Sequence, residues 1–368
     1  MGEEGYAWKR GIHPYAPRPM RVLHIDTEPG WRGGQNQVHL LHRGLLAAGL
    51  DSTVVCRAGE ALHERCAAEG LPVVPVAPGP GFSLRVTAAI ARRRRPDTIV
   101  HAHASAAHGQ ALLAVLGTAT PLVVTRRVDF RLKSGAVARW KYGPRITRFV
   151  AVSAAIARIL QDGGVPASRI RVIHSGVPEP TTVADRAGVR ADLGLPADAR
   201  LVLCPAALVD HKGHRHLFEA WRRLAPAATL LLCGDGERRE VLMAQAADLP
   251  SVRFLGFRRD LPRLLAASDL AVLSSVEEGL GSVLADCHLH GLPVVATTAG
   301  GIPEVVADGV SGLLVPPANP MALADALGRV LGDDALRARL AAGALVQGRK
   351  FLIDHTVAAY RALYGELL

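Results

Sequence analysis

Apolar and polar positions follow two different periods along the chain. Short apolar runs predict strands, and the segments between them carry apolar residues at helical spacing. The first run, residues 20–25, is followed by a turn-rich segment at 26–34 and by a helical pattern at 35–49. Strands that alternate with helices in this way predict a mostly parallel sheet covered by helices on both faces.

The alternation continues in two blocks. Further strands are predicted in the first block at 52–56, 73–76, 98–101, 121–125, 149–153 and 171–173. A segment rich in proline and small residues then predicts a domain boundary at 178–197. Strands are predicted in the second block at 201–204, 229–233, 252–254, 270–274 and 293–297.

The pattern as a whole predicts an α/β protein with two doubly wound domains. We expect an amino-terminal domain at 20–180 and a carboxy-terminal domain at 195–350. The segment 351–368 carries Val357, Tyr360 and Tyr364 on one face, which predicts an amphipathic helix that packs back toward the amino-terminal domain. Ligands of such sheets bind beyond the carboxyl ends of the strands, so we expect the chemistry in a cleft between the domains.

Composition adds an expectation about location. The five cysteines are far apart and form no CxxC pair, which is typical of core residues in a reducing compartment. Residues 1–19 lack the apolar core of a signal peptide, and no run of 18 apolar residues occurs. We therefore expect a cytoplasmic protein that can associate peripherally with the inner face of the cell membrane.

Charge is distributed unevenly along the chain. Residues 1–180 contain 24 basic and 12 acidic residues, whereas residues 181–368 contain 19 and 21. The basic excess of the first half predicts that this half meets an anionic partner.

The segment 274–286 is the most informative motif. It follows an apolar run, carries Glu278, Gly279 and Gly281, and leads into a helical pattern that contains Asp286. Glycines at a helix N-terminus let backbone N–H groups approach a phosphate, and a nearby carboxylate can accept hydrogen bonds from sugar hydroxyls. The same spacing also occurs in ordinary capped helices with solvent-facing acids.

Read together with its neighbours, this segment resembles the donor site of the retaining glycosyltransferases of family 4, also called glycosyl transferase group 1, which have the GT-B fold. The resemblance covers about residues 20–368. It implies sugar contact through Glu278 and ribose contact through Asp286, where the family usually has glutamate. It also implies donor binding by the loop and first helical turn at Gly281, Ser282 and Val283.

An upstream segment, 209–214, resembles the loop of the family whose lysine holds the donor diphosphate. Lys212 is the corresponding residue, and Gly213 follows it. The family usually has an arginine five residues before this lysine, and Ala207 occupies that position here. Stabilisation of the leaving group then falls to Lys212, to the backbone amides near Gly281 and to a neighbouring histidine, His211 or His214.

The amino-terminal half carries matching motifs. Gly33 and Gly34 resemble the paired glycines of the family, which bring the backbone close to the donor phosphates or the acceptor. The segment 97–103 resembles its strand ending in a histidine pair, whose second member, His103, is implied to contact the transferred sugar or the acceptor.

The resemblance implies hexosyl transfer from a nucleoside-diphosphate sugar, UDP- or GDP-linked, with retention and without a metal or another cofactor. The catalytic set it implies is His103, Lys212 and Glu278. Two alternatives stay open: a nucleotide-sugar 2-epimerase, which uses the same fold, and a degenerate protein that binds the nucleotide sugar without turning it over.

A basic segment at 126–148 predicts that the acceptor is anionic or membrane-associated. Basic residues interleaved with aromatics favour an anionic or lipid-linked glycan, such as a lipopolysaccharide, at a membrane surface. The same residues could also form a solvated basic face. No recognised nucleic-acid module accompanies the charge, so nucleic acid is not expected. The candidate acceptor or membrane residues are Arg126, Arg127, Arg131, Lys133, Trp140 and Lys141.

Overall fold

A computed structural model describes residues 20–77, 83–132, 135–181 and 185–368. Its first sheet has seven parallel strands in the order β3-β2-β1-β4-β5-β6-β7. They are β1 (Arg21–Asp26), β2 (Asp51–Arg57), β3 (Val73–Val76), β4 (Thr98–Ala102), β5 (Leu122–Arg126), β6 (Arg148–Ala151) and β7 (Ile170–Val172).

The second sheet has six parallel strands in the order β10-β9-β8-β11-β12-β13. They are β8 (Arg200–Cys204), β9 (Ala228–Cys233), β10 (Val252–Gly256), β11 (Leu270–Leu273), β12 (Val294–Thr297) and β13 (Gly312–Val315). Central strands such as β11 are buried along their whole length, as expected where helices cover both faces of a parallel sheet. The predicted α/β class with two Rossmann-like parallel sheets is confirmed.

Helices occupy the connections. Those that accompany the first sheet are α1 (Gly33–Ala47), α2 (Ala61–Ala68), α3 (Leu84–Arg93), α4 (Ser105–Val115), α5 (Ala136–Lys141) and α6 (Ala154–Asp162). The remainder are α7 (Arg186–Asp192), α8 (His214–Leu224), α9 (Arg239–Gln245), α10 (Leu261–Ala267), α11 (Ser282–Leu289), α12 (Ile302–Val305), α13 (Pro320–Gly332), α14 (Asp334–Gly348) and α15 (Ile353–Gly365).

The last helix, α15, lies against the first sheet's half of the molecule. Its Val357 contacts α1 so closely that a Cβ at Gly44 would stand 2.4 Å from Val357 Cγ2. Backbone hydrogen bonds between Val177 and the segment before α15 join the same parts of the chain, with Ile353 N donating to Val177 O at 2.8 Å. Tyr360 and Tyr364 are thereby buried under the first sheet.

Three details differ from the sequence prediction. The proline-rich segment at 178–197 contains a short helix, α7, whose Val189 is fully buried and whose contacts are with α10. Strand β13 was not predicted, because its glycine and four-residue length give a weak strand signal. Helix α1 begins at Gly33 instead of near residue 35, so the paired glycines form its first turn.

Candidate active site

The Lys212 loop lies against the carboxyl end of β11. A turn of 3-10 helix at Asp210–Lys212 ends at Gly213, whose φ of +66° is left-handed. A Cβ at Gly213 would stand 2.2 Å from the carbonyl oxygen of Ser274, so glycine is required by both backbone conformation and space. The Ser274 hydroxyl also donates to the Lys212 carbonyl at 3.0 Å, which fixes the loop.

Lys212 and Glu278 form an ion pair across these two loops. Lys212 Nζ lies 2.5 Å from Glu278 Oε2, and the Ser275 hydroxyl donates to the same oxygen at 3.3 Å. The two side chains are 18% and 12% exposed, so each keeps a face open to solvent. The arrangement places one cation and one carboxylate side by side at the sheet edge.

The start of α11 lies directly beyond Glu278. Gly281 adopts a left-handed φ of +79° and precedes the helix, whose first bond runs from Leu284 N to Gly281 O at 2.8 Å. The N–H groups of Ser282 and Val283 precede that bond and are therefore available to an anion. Asp286 lies in the second turn of α11, and burial raises the pKa of its carboxyl group.

Ala207 occupies the position where the family usually has an arginine, so the neighbouring basic groups decide how much positive charge this region holds. Arg238 is tied to Asp210 by an ion pair of 2.7 Å. His214 is buried, and burial, followed by the charges of Lys212 and His211, lowers its pKa to about 4. In its neutral form His214 can stabilise a leaving group by donating a hydrogen bond, not by carrying a positive charge.

On the opposite side of the cleft, His103 follows β4 within a cluster of buried histidines. Its Nε2 lies 2.9 Å from His24 Nδ1, and its Nδ1 lies 3.3 Å from the two terminal nitrogens of Arg127. The His101 ring lies 3.8 Å from the His103 ring between centroids. Burial is the main reason that the pKa values of His24, His101 and His103 lie well below the ordinary value.

Helix α15 closes this cluster from below. Tyr364 Oη lies 2.7 Å from His101 Nδ1, and the other ring nitrogen of His101 lies 2.7 Å from Thr125 Oγ1. Thr125 is in turn 2.9 Å from Tyr360 Oη. Side chains from β1, β4, β5 and α15 thus form one hydrogen-bonded network behind His103.

The histidine trio also has the only ligand geometry for a metal among the described residues, with ligand atoms within 4.8 Å of one another for His24, His101 and His103. However, His101 already uses both ring nitrogens for Thr125 and Tyr364. The guanidinium of Arg127 beside His103 would also repel a cation. The residues fit a hydrogen-bonded network better than a metal centre.

Gly33 and Gly34 lie at the N-terminus of α1, next to a buried acid. A Cβ at either glycine would meet no atom within 4 Å, so space is open in front of them. Asp26, at the end of β1, is 2% exposed and accepts hydrogen bonds from Gln35 Nε2 at 3.2 Å and from the Glu28 amide at 3.0 Å. Burial raises the pKa of Asp26. Sequence reasoning missed this residue, although an acid at the end of an apolar run was a usable signal.

The two halves meet at Gly279. A Cβ at Gly279 would stand 2.1 Å from the carbonyl oxygen of Arg127, and the Ser153 hydroxyl donates to Gly279 O at 2.7 Å. This contact packs the backbone next to Glu278 against Arg127, whose side chain contacts His103.

A second contact between the halves is made by Glu304, which was not predicted to have this role. Its carboxylate accepts from the Ala154 and Ala155 amides at 3.0 and 3.3 Å and lies 2.8 Å from His174 Nε2. Burial alone would raise the pKa of Glu304, but the His174 and amide hydrogen bonds bring it below the ordinary value.

The basic segment divides into different environments. Arg126, expected at the surface, is 6% exposed and donates to Tyr142 Oη at 3.0 Å and to the Phe130 carbonyl. Arg127 is half-buried, and its guanidinium lies beside His103. Lys141 is half-buried with Nζ donating to Ser105 O at 2.8 Å.

The rest of that segment is more exposed. Arg131 is exposed and Trp140 is 40% exposed, whereas Lys133 lies outside the described residues. Phe130 and Val137 are exposed beside them. Within the part of the chain that is described, no helix combines the length and apolar character needed to cross a bilayer.

Comparison with known proteins gives two family matches. Residues 199–333 match the family model "Glycosyl transferases group 1", and residues 31–179 match "Glycosyltransferase Family 4". The chain is 28% identical to the D-inositol 3-phosphate glycosyltransferase of Xylanimonas cellulosilytica, over 94% of this chain and 96% of that protein. It is 41% identical to the lipopolysaccharide core biosynthesis glycosyltransferase LpsE of Rhizobium meliloti, over 41% and 45% of the two chains.

Among solved structures, Anabaena HepE in complex with UDP-glucose superposes with a TM-score of 0.82 at 25% identity, covering 94% of this chain and 100% of HepE. Both halves of the chain thus match glycosyltransferase family models, and the arrangement of the two sheets matches that of HepE. The chain belongs to family 4 of the glycosyltransferases and has the GT-B fold.

Proposed function

We propose that this glycosyltransferase moves a hexose, with retention of configuration, from a nucleoside-diphosphate sugar to an anionic or lipid-linked glycan of the cell envelope. The observation that carries the donor part is the Lys212–Glu278 pair beside the N-terminus of α11. A cation, free helical N–H groups and a carboxylate are the groups that a diphosphate joined to a sugar requires.

Each group has a distinct role in this proposal. Lys212 and the amides of Ser282 and Val283 bind the diphosphate and stabilise the charge that develops on it as the sugar departs. Glu278 accepts hydrogen bonds from the sugar, and Asp286 accepts them from the ribose. The backbone at Gly33 and Gly34 approaches from the opposite wall. Fixed cations and helix dipoles supply the electrostatic stabilisation, so the proposed reaction needs no metal.

UDP is the favoured nucleotide, because HepE was crystallised with UDP-glucose and shares the fold over nearly the whole chain. The two relatives point to acceptors that carry anionic groups, since one is an inositol-phosphate and the other a lipopolysaccharide-core glycosyltransferase. An acceptor can enter the cavity of about 150 Å³ at the carboxyl edge of the first sheet, lined by Glu28, Arg57 and Gln110 among others.

Peripheral association with a membrane is part of the proposal. Phe130, Val137 and Trp140 expose apolar surface next to the cation of Arg131, a combination that suits an anionic headgroup interface. The buried Arg126 does not contribute to such a surface.

Two alternatives can be separated by incubation of the protein with the donor alone. A 2-epimerase would convert the nucleotide sugar into its epimer without an acceptor. A degenerate site would bind the donor but transfer its sugar to no acceptor. Ala207 and Asp286 are the residues that would favour this alternative.

The proposal is tested by thermal shift with UDP, UDP-glucose and their GDP counterparts on the wild type and on Lys212→Ala and Glu278→Ala. Bound ligand raises the melting temperature by mass action. We expect Lys212→Ala to weaken the response to every nucleotide and Glu278→Ala to weaken mainly the sugar-dependent part. Asp325→Ala, which removes an exposed acid of α13 in the same half, is the control. A wild type that no nucleotide stabilises would contradict the proposed donor site.

A further inference from the structure

Arg127 is a cation with an unusual set of partners, close to the point where the two halves of the chain meet. The described ion pairs join many arginines to carboxylates within 4.0 Å, but none of them includes Arg127. Its terminal nitrogens face His103 Nδ1 at 3.3 Å, and its Nε has no hydrogen-bond partner among the described residues. Asp26 is the carboxylate that acts on it at longer range, and that group is already bound by Gln35.

The hydrogen-bond chain fixes the protons on both histidines. Arginine can only donate, so His103 Nδ1 must accept, and the proton of the neutral ring lies on Nε2. His103 Nε2 then donates to His24 Nδ1 at 2.9 Å, which leaves the His24 proton on its own Nε2. Both nitrogens of His103 are therefore engaged within the amino-terminal half.

This assignment changes which side chain meets the substrate. The His103 ring could bind a sugar hydroxyl only by releasing either Arg127 or His24. Arg127, in contrast, keeps donors unused, and its carbonyl oxygen packs on Gly279, the residue after Glu278. A largely buried guanidinium without a close carboxylate is stabilised when a ligand brings a negative charge.

We infer that Arg127 binds a phosphate-type oxyanion of a substrate, and that His103 and His24 are positioning residues that hold its guanidinium. The inference deepens the proposed function and rests on it for the identity of the substrates. The oxyanion has two sources, the diphosphate of the donor and an anionic group of the acceptor. The first would compensate for Ala207, which removes a cation from the donor half.

Isothermal titration separates the two sources. UDP is titrated into the wild type and into Arg127→Met, and inorganic phosphate is then titrated into each protein saturated with UDP, so that only sites outside the diphosphate subsite are free. Uridine serves as the phosphate-free reference. A donor role predicts UDP binding about tenfold or more weaker in Arg127→Met with uridine binding unchanged, as for a lost charge-assisted hydrogen bond. An acceptor role predicts unchanged UDP binding and loss of the phosphate site.

Arg169→Met is the matched control, because it removes the same charge from an arginine that binds the Gly143 and Ile146 carbonyls in the same half. Arg127→Lys keeps the charge and should keep part of the binding, which protects the test if Arg127→Met folds poorly. The inference is overturned if both Arg127→Met and Arg127→Lys bind UDP and phosphate as tightly as the wild type does. If the wild type binds no nucleotide, the proposed donor site fails, while phosphate titrated into the nucleotide-free protein still tests Arg127.

The positioning part has its own readout in histidine ¹⁵N resonances. We expect His103 and His24 of the wild type to be neutral with the proton on Nε2, and His24→Gln to weaken oxyanion binding less than Arg127→Met does. A His103 ring protonated on Nδ1 would contradict the chain of hydrogen bonds.

Discussion

The two walls of the cleft are built in different ways. The proposed donor wall, called the donor wall below, consists of two short loops and the start of α11. Gly213 and Gly281 have left-handed conformations there, and Lys212 lies against Glu278. The opposite wall consists of side chains from β1, β4, β5 and α15 that come together only in the folded chain. His101 and Tyr364, for example, are 263 positions apart and 2.7 Å from one another.

The difference indicates that the two walls contribute to the reaction in different ways. The donor wall offers charge and backbone N–H groups that suit any nucleoside diphosphate. The opposite wall holds neutral histidines around one arginine, and its shape depends on packing across the whole amino-terminal half and α15. We therefore expect substitutions in the donor wall and at Arg127 to act on substrate binding or transfer directly. Substitutions in the histidine and tyrosine network around Arg127 should act through position.

The largest effect should come from Lys212→Ala. Loss of the cation that stabilises the departing diphosphate should lower kcat by about 100-fold to 1,000-fold, the range found when one preorganised donor is removed. The rate of sugar release from UDP-glucose measures this. A kcat within a few-fold of the wild-type value would contradict a direct role of the donor wall in transfer. Lys350→Ala is the control, because it removes a surface lysine whose Nζ donates to Gln347 Oε1.

Tyr364→Phe should have the next largest effect. Removal of the hydroxyl leaves the buried Nδ1 of His101 without its partner, which should lower the free energy of unfolding by about 1–3 kcal/mol. We expect kcat to fall several-fold, because the network supports His103 and, through it, Arg127. Chemical denaturation and steady-state kinetics measure the two effects, with Tyr142→Phe as the control. A variant whose kcat and KM values both equal those of the wild type would contradict a positioning role.

Glu304→Gln tests how much the Glu304 contact stabilises the association of the two halves of the chain. Hydrogen bonds from His174 and from two amides lower the pKa of Glu304, so its ionised form stabilises the folded protein above the ordinary glutamate value of 4.5, and this contribution is lost as the pH falls below that value. We expect the variant to be about 1 kcal/mol less stable at pH 7 and equal to the wild type in acid. Melting temperatures from pH 3 to pH 7 measure this. A difference that persists unchanged at pH 3 would exclude the carboxylate as its source.

The smallest effect should come from Asp286→Glu. The additional methylene restores the length usual in the family, so UDP should bind a few-fold more tightly, corresponding to less than about 1 kcal/mol. Titration with UDP and with UDP-glucose measures it. Weaker binding of both would show that Asp286 is fitted to this site as it stands.

Much of the donor wall could be predicted from the sequence. Lys212, Gly213, Glu278 and Gly281 lie in local motifs, and parallel strands bring the ends of β8 and β11 to one sheet edge. Local spacing is sufficient there because the backbone does most of the positioning. The strands were also recognisable from continuous apolar runs, apart from the glycine-containing β13.

The opposite wall was only partly predictable. His103 was predicted from its resemblance to the family's strand ending. The sequence does not show that His24 contacts it or that Tyr364 contacts the neighbouring His101. A count of basic residues placed Arg126 at the surface, whereas the fold buries it against Tyr142. Charge counts do not tell which side of a strand a side chain faces, and that information depends on contacts distant in sequence.

The central claim is that the donor diphosphate lies between Lys212 and the start of α11. A crystal structure of the protein with UDP tests it most directly. The account predicts diphosphate oxygens within hydrogen-bond distance of Lys212 Nζ and of the Ser282 amide, with the ribose near Asp286. A nucleotide bound away from both Lys212 and Ser282 would contradict it.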